Sequence, residues 1–299
     1  MPRKYDMIKT KLLVLLLLLL TACSSPSHNH TLKISATTWI GYTPLFYAKE
    51  KGWLDEIDIK LINVVSLSEN MYLYKAGNSD AYCGTQYEHS VLKSKIPSLI
   101  PIMLFDRSNG GDIIMSNQSI QTLQTGTKKI HTYLEMDSIN FTILTDFVKR
   151  YKIDESRIEY INRDQTEIAT LSNTTPEDNV LIITYVPFNT SLEKNGFKEI
   201  LSTKQGLDLL VVDALFTTKE EFIQHKKQFI TLKKFTDEAI KVLQANPKAF
   251  YETIQSYMDG LSYEEFMEAR HEIEWINQPL SKELKQRMQK ASFPTKDLL

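Results

Sequence analysis

Apolar residues run unbroken from Leu12 to Leu20, and beyond a short polar stretch the pattern becomes a series of brief apolar segments separated by amphipathic ones. The first run follows Arg3, Lys4, Lys9 and Lys11 and ends in Leu20-Thr21-Ala22-Cys23. It is shorter than the roughly 20 apolar residues needed to cross a bilayer. A basic start, a short apolar core and small residues before a cut site predict a secretory signal segment over 1–22. Polar 23–30, rich in Ser, Pro, Asn and His, predicts a tether. Strand-like segments follow at 31–39, 57–65, 82–85, 99–105 and 112–115. A second series lies at 129–135, 157–162, 180–186 and 207–212. The 180–186 segment is apolar apart from Thr184, as expected of a strand covered on both faces. Between them, Ile139, Ile143, Phe147 and Tyr151 form one stripe at four-residue spacing and predict a helix over 138–151. Beyond Thr217 the pattern is helical. Asn246-Pro247 restarts a helix, Ser262-Tyr263-Glu264-Glu265 forms a capping box, and a last helix is expected near Pro279.

Strands alternating with helices predict parallel sheets covered by helices. The chain has 299 residues. About 275 remain without the leader, a length typical of two cores rather than one. The expected architecture is two α/β lobes, the first discontinuous over 31–115 plus 206–299, the second inserted over 116–205. Two chain crossings then form a hinge, and a ligand is expected between the lobes at strand and helix ends.

The formal charge is −2 for the whole chain; the leader holds four Lys/Arg and one Asp, so the body is more acidic. An acidic body lacks the electrostatic footprint of a nucleic-acid binder, so no nucleic-acid partner is expected. The Leu-Thr-Ala-Cys stretch resembles the lipobox of bacterial lipoproteins. That resemblance implies lipidation of Cys23 and an anchored position outside the cytoplasm, on the periplasmic side of the inner or outer membrane in a two-membrane cell. Cys83 is then alone in an apolar segment and reads as a small buried hydrophobe. His28 and His30 read as linker residues.

Catalytic signatures are absent from the sequence. It has no Gly-x-Ser-x-Gly elbow, phosphate loop or His-Glu-x-x-His helix, and His89, His131, His225 and His271 share no ligand spacing. Neither a metal nor a cofactor is expected.

The stretch Thr38-Trp39-Ile40-Gly41-Tyr42-Thr43-Pro44-Leu45-Phe46-Tyr47-Ala48, with Lys51-Gly52-Trp53, resembles the opening of the ABC-transporter substrate-binding proteins for nitrate, sulfonates, taurine and thiamine precursors. Asp80-Ala81, the loop Asp106-Arg107-Ser108-Asn109-Gly110-Gly111-Asp112, Leu134 to Ser138, and Thr184-Tyr185-Val186-Pro187-Phe188 resemble later family segments in order and spacing. The resemblance implies a two-lobe type II periplasmic-binding-protein fold with a helical C-terminal segment. It further implies a non-enzymatic, monomeric binder that captures a small organic solute and presents it to an ABC permease. Val186 stands where the family often carries a glutamate. One alternative is a ligand-sensing lipoprotein docking on a membrane signalling receptor; another is an enzyme of thiamine-precursor type.

Candidate ligand residues come from strand and helix ends. Trp39 either stacks on a planar ligand or seals the core. Tyr42 offers a hydroxyl from the loop before a helix. Gln86 opens a helix, and neighbouring Glu88 is expected in solvent. Asp106 is placed to accept from a ligand amine or amidine, with Ser108 and Asn109 in the same loop. Glu135, Asp137 and Ser138 precede or cap the 138–151 helix, and Tyr185 is expected across the cleft from Trp39.

Overall fold

The computed structural model describes residues 31–299 except Pro176, Gly206, Asp208 and Asp259. The expected signal segment, Cys23 and the tether lie outside the described residues. Eleven strands are present among the described residues. They are β1 (Leu32–Ala36), β2 (Ile59–Asn63), β3 (Ala81–Thr85), β4 (Leu99–Ser108), β5 (Asp112–Ser116), β6 (Ile130–Leu134), β7 (Ile158–Asn162), β8 (Asn179–Tyr185), β9 (Lys198–Ser202), β10 (Val212–Thr218) and β11 (Ile273–Trp275).

Two sheets form. The first has order β11-β4-β10-β3-β1-β2 and the second β7-β6-β8-β5-β9. Helices cover both, so the α/β two-lobe class expected from the sequence is the class observed. The sheets are mixed, however, not parallel. β1 pairs in parallel with β2 and β3, and β6 with β7 and β8. β10 runs antiparallel to β3 and β4, and β5 antiparallel to β8 and β9. The antiparallel members are those next to the chain crossings. β4 hands over to β5 through only Asn109, Gly110 and Gly111, and the return runs from β9 to β10. Because β5 pairs in the second sheet, sheet membership changes between Ser108 and Asp112, ahead of the boundary at 115 read from the sequence.

Local chemistry accounts for most element ends. Ser138 accepts from the Asn140 amide and starts the helix Ile139–Tyr151; Ser262 and Glu265 complete the expected capping box. The helix Thr43–Glu50 starts differently from expectation. Thr43 does not cap it; its hydroxyl donates to the Ile40 carbonyl, and proline supplies the fixed φ of the first turn. The strand expected at 207–212 is displaced: the paired strand is Val212–Thr218, because β3 and β4 offer partners only there. The last helix spans Lys282–Lys290 and is capped by Ser281.

The C-terminal helices pack on the first sheet's helix Thr43–Glu50 through aromatic rings. Tyr47 stacks on Phe250 with centroids 4.6 Å apart, and Phe46 meets Tyr257 at 4.6 Å. Cys83 lies buried in β3, and burial raises its thiol well above the ordinary value, which keeps it protonated and inert.

Candidate functional site

The two sheets face each other across a narrow gap with a cavity of about 10 Å³. Its first wall carries Thr37 and Trp39 beyond β1, Leu67 at the start of the helix Leu67–Lys75, Thr85 at the end of β3, and Val211 and Asp213 at the start of β10. Its second wall carries Asp112 at the start of β5, Tyr185 at the end of β8, and Ile139 at the start of its helix. Strand and helix ends therefore meet here, and the backbone ends leave polar groups to be satisfied by whatever occupies the gap.

Trp39 and Tyr185 come together as expected, edge to face across the gap with centroids 5.7 Å apart. The Trp39 indole N–H lies 3.3 Å from both carboxylate oxygens of Asp106. Two glycines permit this approach. A Cβ on Gly41 would sit 1.7 Å from Asp106 Oδ2, and one on Gly111 would sit 2.6 Å from the Trp39 ring. Asp213 is next to Asp106 because β10 pairs with β4 across a bulge, and it accepts from the Tyr42 hydroxyl.

Other candidates have protein partners. The Tyr42 hydroxyl is spent on Asp213, and the ring is fully buried. The Gln86 side chain donates to the Leu210 carbonyl and accepts from the Val212 amide, pinning the return crossing. Ser108 pairs with Thr203 at 2.7 Å and accepts from the Asp112 amide. The Asn109 amide donates to the Glu272 carbonyl. Ser138 caps its helix from a buried position. Asp137 is exposed and accepts from Tyr72 at 2.5 Å.

Glu88 is a correction. It is fully buried, not in solvent. Its Oε2 accepts from the amide and hydroxyl of Thr85, and its Oε1 accepts from the Ile139 amide of the opposite sheet's helix at 3.1 Å. Glu135 returns the contact, accepting from the Leu67 amide of the first sheet's helix at 3.2 Å. Each half thus supplies a carboxylate to the helix N-terminus of the other, where exposed amides and the helix dipole favour negative charge.

The sequence reading missed Asp112 and Asp213 as site residues. A signal existed: each is a charge abutting or interrupting an apolar strand, Asp112-Ile113-Ile114-Met115 and Val211-Val212-Asp213-Ala214-Leu215. A buried strand does not hold a carboxylate without reason.

Electrostatically the gap is acidic. Burial pushes Asp112 up to about 7, with the charge of Glu88 adding to it. Burial, again with Glu88, pushes Glu135 up to about 8. Asp106 and Asp213 are also raised, by burial first, and the Asp106 charge raises Asp213 further. Among the described residues, no hydrogen-bond partner serves the buried Thr37 Oγ1, Asp112 Oδ2 or Tyr185 Oη.

No protein-family model and no curated protein matches the sequence. Solved structures do match. The ligand-binding component of an ABC-type import system from Staphylococcus aureus, solved with zinc bound, superposes with a TM-score of 0.68 at 13% identity over 87% of this chain and 91% of that one. The alkanesulfonate-binding protein SsuA of Xanthomonas axonopodis pv. citri, solved with MOPS, gives a TM-score of 0.69 at 11% identity over 87% and 90%. The periplasmic nitrate-binding protein NrtA of Synechocystis PCC 6803 gives 0.61 at 11% identity over 78% and 68%. The fold is that of periplasmic solute-binding proteins, and the Staphylococcus aureus neighbour is a component of an ABC-type import system. At these identities the likeness is one of fold.

Proposed function

We propose that this chain is an extracytoplasmic solute-binding protein that closes its two halves on a small organic molecule and presents it to an ABC permease. The observation that carries the reading is the gap itself. It lies between two sheets joined by two chain crossings, and its buried walls keep three polar atoms, on Thr37, Asp112 and Tyr185, that no group among the described residues satisfies. Leaving a buried polar atom unpaired costs about 1–3 kcal/mol, so such atoms are retained where a ligand completes them. The crossed Glu88 and Glu135 contacts support a closed form held by helix-end electrostatics, which a hinge at 109–111 and at the return crossing would release. Trp39, Asp106 and Tyr185 serve as ligand contacts, and Tyr42, Gln86, Ser108, Asn109, Asp137 and Ser138 hold the walls in place. The chain works as a binder, not a catalyst. A lipid on Cys23 anchors it, and the polar 23–30 segment lets the body reach its membrane partner.

Cell fractionation tests the anchor: Cys23→Ala should move the protein from the membrane to the soluble fraction, and continued membrane retention would remove the anchor from the account. Small-angle scattering tests the binder. A solute that raises the melting temperature should also reduce the radius of gyration, and stabilisation with no change in dimensions would contradict closure.

A further inference from the structure

The geometry points to a small organic cation bearing several N–H donors, an amidine, guanidine or primary amine, as the solute. The inference rests on the binding reading above and specifies its ligand. Two carboxylates line the gap, Asp112 and Asp213, and three more are bonded to its lining residues: Asp106 to Trp39, Glu88 to Thr85 and Ile139, and Glu135 to Leu67; each of the five is no more than 3% exposed. They come from separate elements, the helix Gln86–Lys93, β4, β5, the end of β6 and β10. Among the described residues, none of the five takes part in an ion pair; the Lys, Arg and His pairs all involve other acids. A buried carboxylate needs a cation or several donors. Glu88 has three donors and is satisfied. The others are not equally served. Asp106 has one long bond from Trp39, shared between its two oxygens. Among the described residues Asp112 Oδ2 has none, Glu135 is served only by the Leu67 and Gln165 amides and by no cation, and Thr37 Oγ1 and Tyr185 Oη are unserved.

The missing partners are therefore donors carrying positive charge. Among the described residues no Lys or Arg lines the gap to offset an anion. This sets the site apart in chemistry from what a sulfonate or nitrate requires. The lining rings of Trp39 and Tyr185 suit a cation, whose attraction to an aromatic face adds about 0.5–2 kcal/mol. A bare metal ion fits less well, because among the described residues no three Asp, Glu, His or Cys side chains are placed to share one. The closed gap has a cavity of only about 10 Å³, room for about one water, so the halves must part to admit any solute, and a small one requires the least parting.

Protonation provides an independent signature. The titratable groups in the lining are Asp112, Asp213 and Tyr185, with Glu88, Asp106 and Glu135 bonded to lining residues and Tyr42 and Cys83 behind them. With Asp112 near 7 and Glu135 near 8, the unliganded gap holds protons at neutral pH. A cation favours the ionised carboxylates and expels those protons, whereas an anion would draw protons in.

The test uses the whole protein. Thermal-shift and calorimetric titrations compare acetamidine, methylguanidine, benzamidine and ethylamine with ethanesulfonate, nitrate and zinc chloride. Calorimetry is repeated in buffers of different ionisation enthalpy to count protons. At least one organic cation should raise the melting temperature and release protons on binding. Asp112→Asn should weaken that binding by about thirtyfold or more, the usual effect of removing one partner of a buried charge pair. Glu135→Gln should weaken it in the same direction. Both variants, free of ligand, should melt at or above the parent's temperature at pH 8, because each removes an uncompensated buried charge. Stabilisation by ethanesulfonate, nitrate or zinc in place of the organic cations overturns the ligand class and leaves the solute-binding reading standing. Silence from every compound, with unchanged scattering dimensions, overturns both. Ligand-free variants that melt well below the parent would show that the carboxylates serve the fold and would overturn the inference.

Discussion

Two buried regions of this molecule obey opposite rules. Beneath the C-terminal helices, Phe46, Tyr47, Phe250, Tyr257 and Phe266 fill space ring against ring, and the Tyr257 hydroxyl still finds Glu50 at 2.5 Å. At the gap between the sheets, Asp106, Asp112, Glu135 and Asp213 are equally buried, yet acceptor atoms go unserved and the carboxylates rise well above their ordinary range. The first region contributes stability. The second gives some up. Burial alone therefore does not mark a structural core; several unmatched polar atoms gathered with carboxylates at one gap mark a place that a ligand can complete.

Breaking the first region should have the largest effect. Phe250→Ala removes the ring stacked on Tyr47 and should cost about 3–5 kcal/mol. Urea denaturation would read the loss, while solute affinity in the folded fraction should stay unchanged.

The second region should show itself in the pH dependence of stability. Asp112 and Glu135 are raised in the folded state, so the unfolded chain loses their protons first as pH increases. Stability of the ligand-free protein is then greatest near pH 4, as far as these two groups are concerned. It falls as pH rises from about 4 and levels off above about 8. Melting temperature against pH should show that slope, and Asp112→Asn should flatten it. A melting temperature that rose across this interval would show the carboxylates to be paired.

A glycine change sharpens the contrast further. Gly41→Ala places a methyl group against Asp106 and Trp39, so it should abolish solute binding at an overpacking cost of about 1–3 kcal/mol. The smallest effect belongs to the rim. Lys194 reaches Glu265 at 2.6 Å with its side chain 68% exposed. Lys194→Ala should change stability by less than about 1 kcal/mol.

The sequence made the scaffold more legible than the site. The apolar run ending at Tyr185 and the stripe from Ile139 to Tyr151 announce their elements, because hydrophobic period reports local geometry directly. Trp39 and Tyr185 were readable as facing partners, since both sit at strand ends. Sheet direction near the crossings was not readable, because β4, β5 and β10 carry the same apolar pattern whether paired parallel or antiparallel. Position 88 misled for a related reason. In the sequence Glu88 is the third residue of an ordinary capping box after Thr85, which suits an exposed helix start. The contact with Ile139 from the other sheet's helix, which helps to bury it, leaves no mark in the local sequence. Asp112 and Asp213 meet in space from positions about a hundred residues apart, and no local period records that meeting.

The central claim is that two halves close on a solute held between Trp39 and Tyr185. Spin labels on exposed Lys60 of the first sheet and exposed Lys149 of the second sheet's long helix would report it by pulsed electron resonance. Without solute, the distance distribution should include an open population that collapses to the closed distance once a stabilising solute is added. One unchanged distance under both conditions would contradict the account.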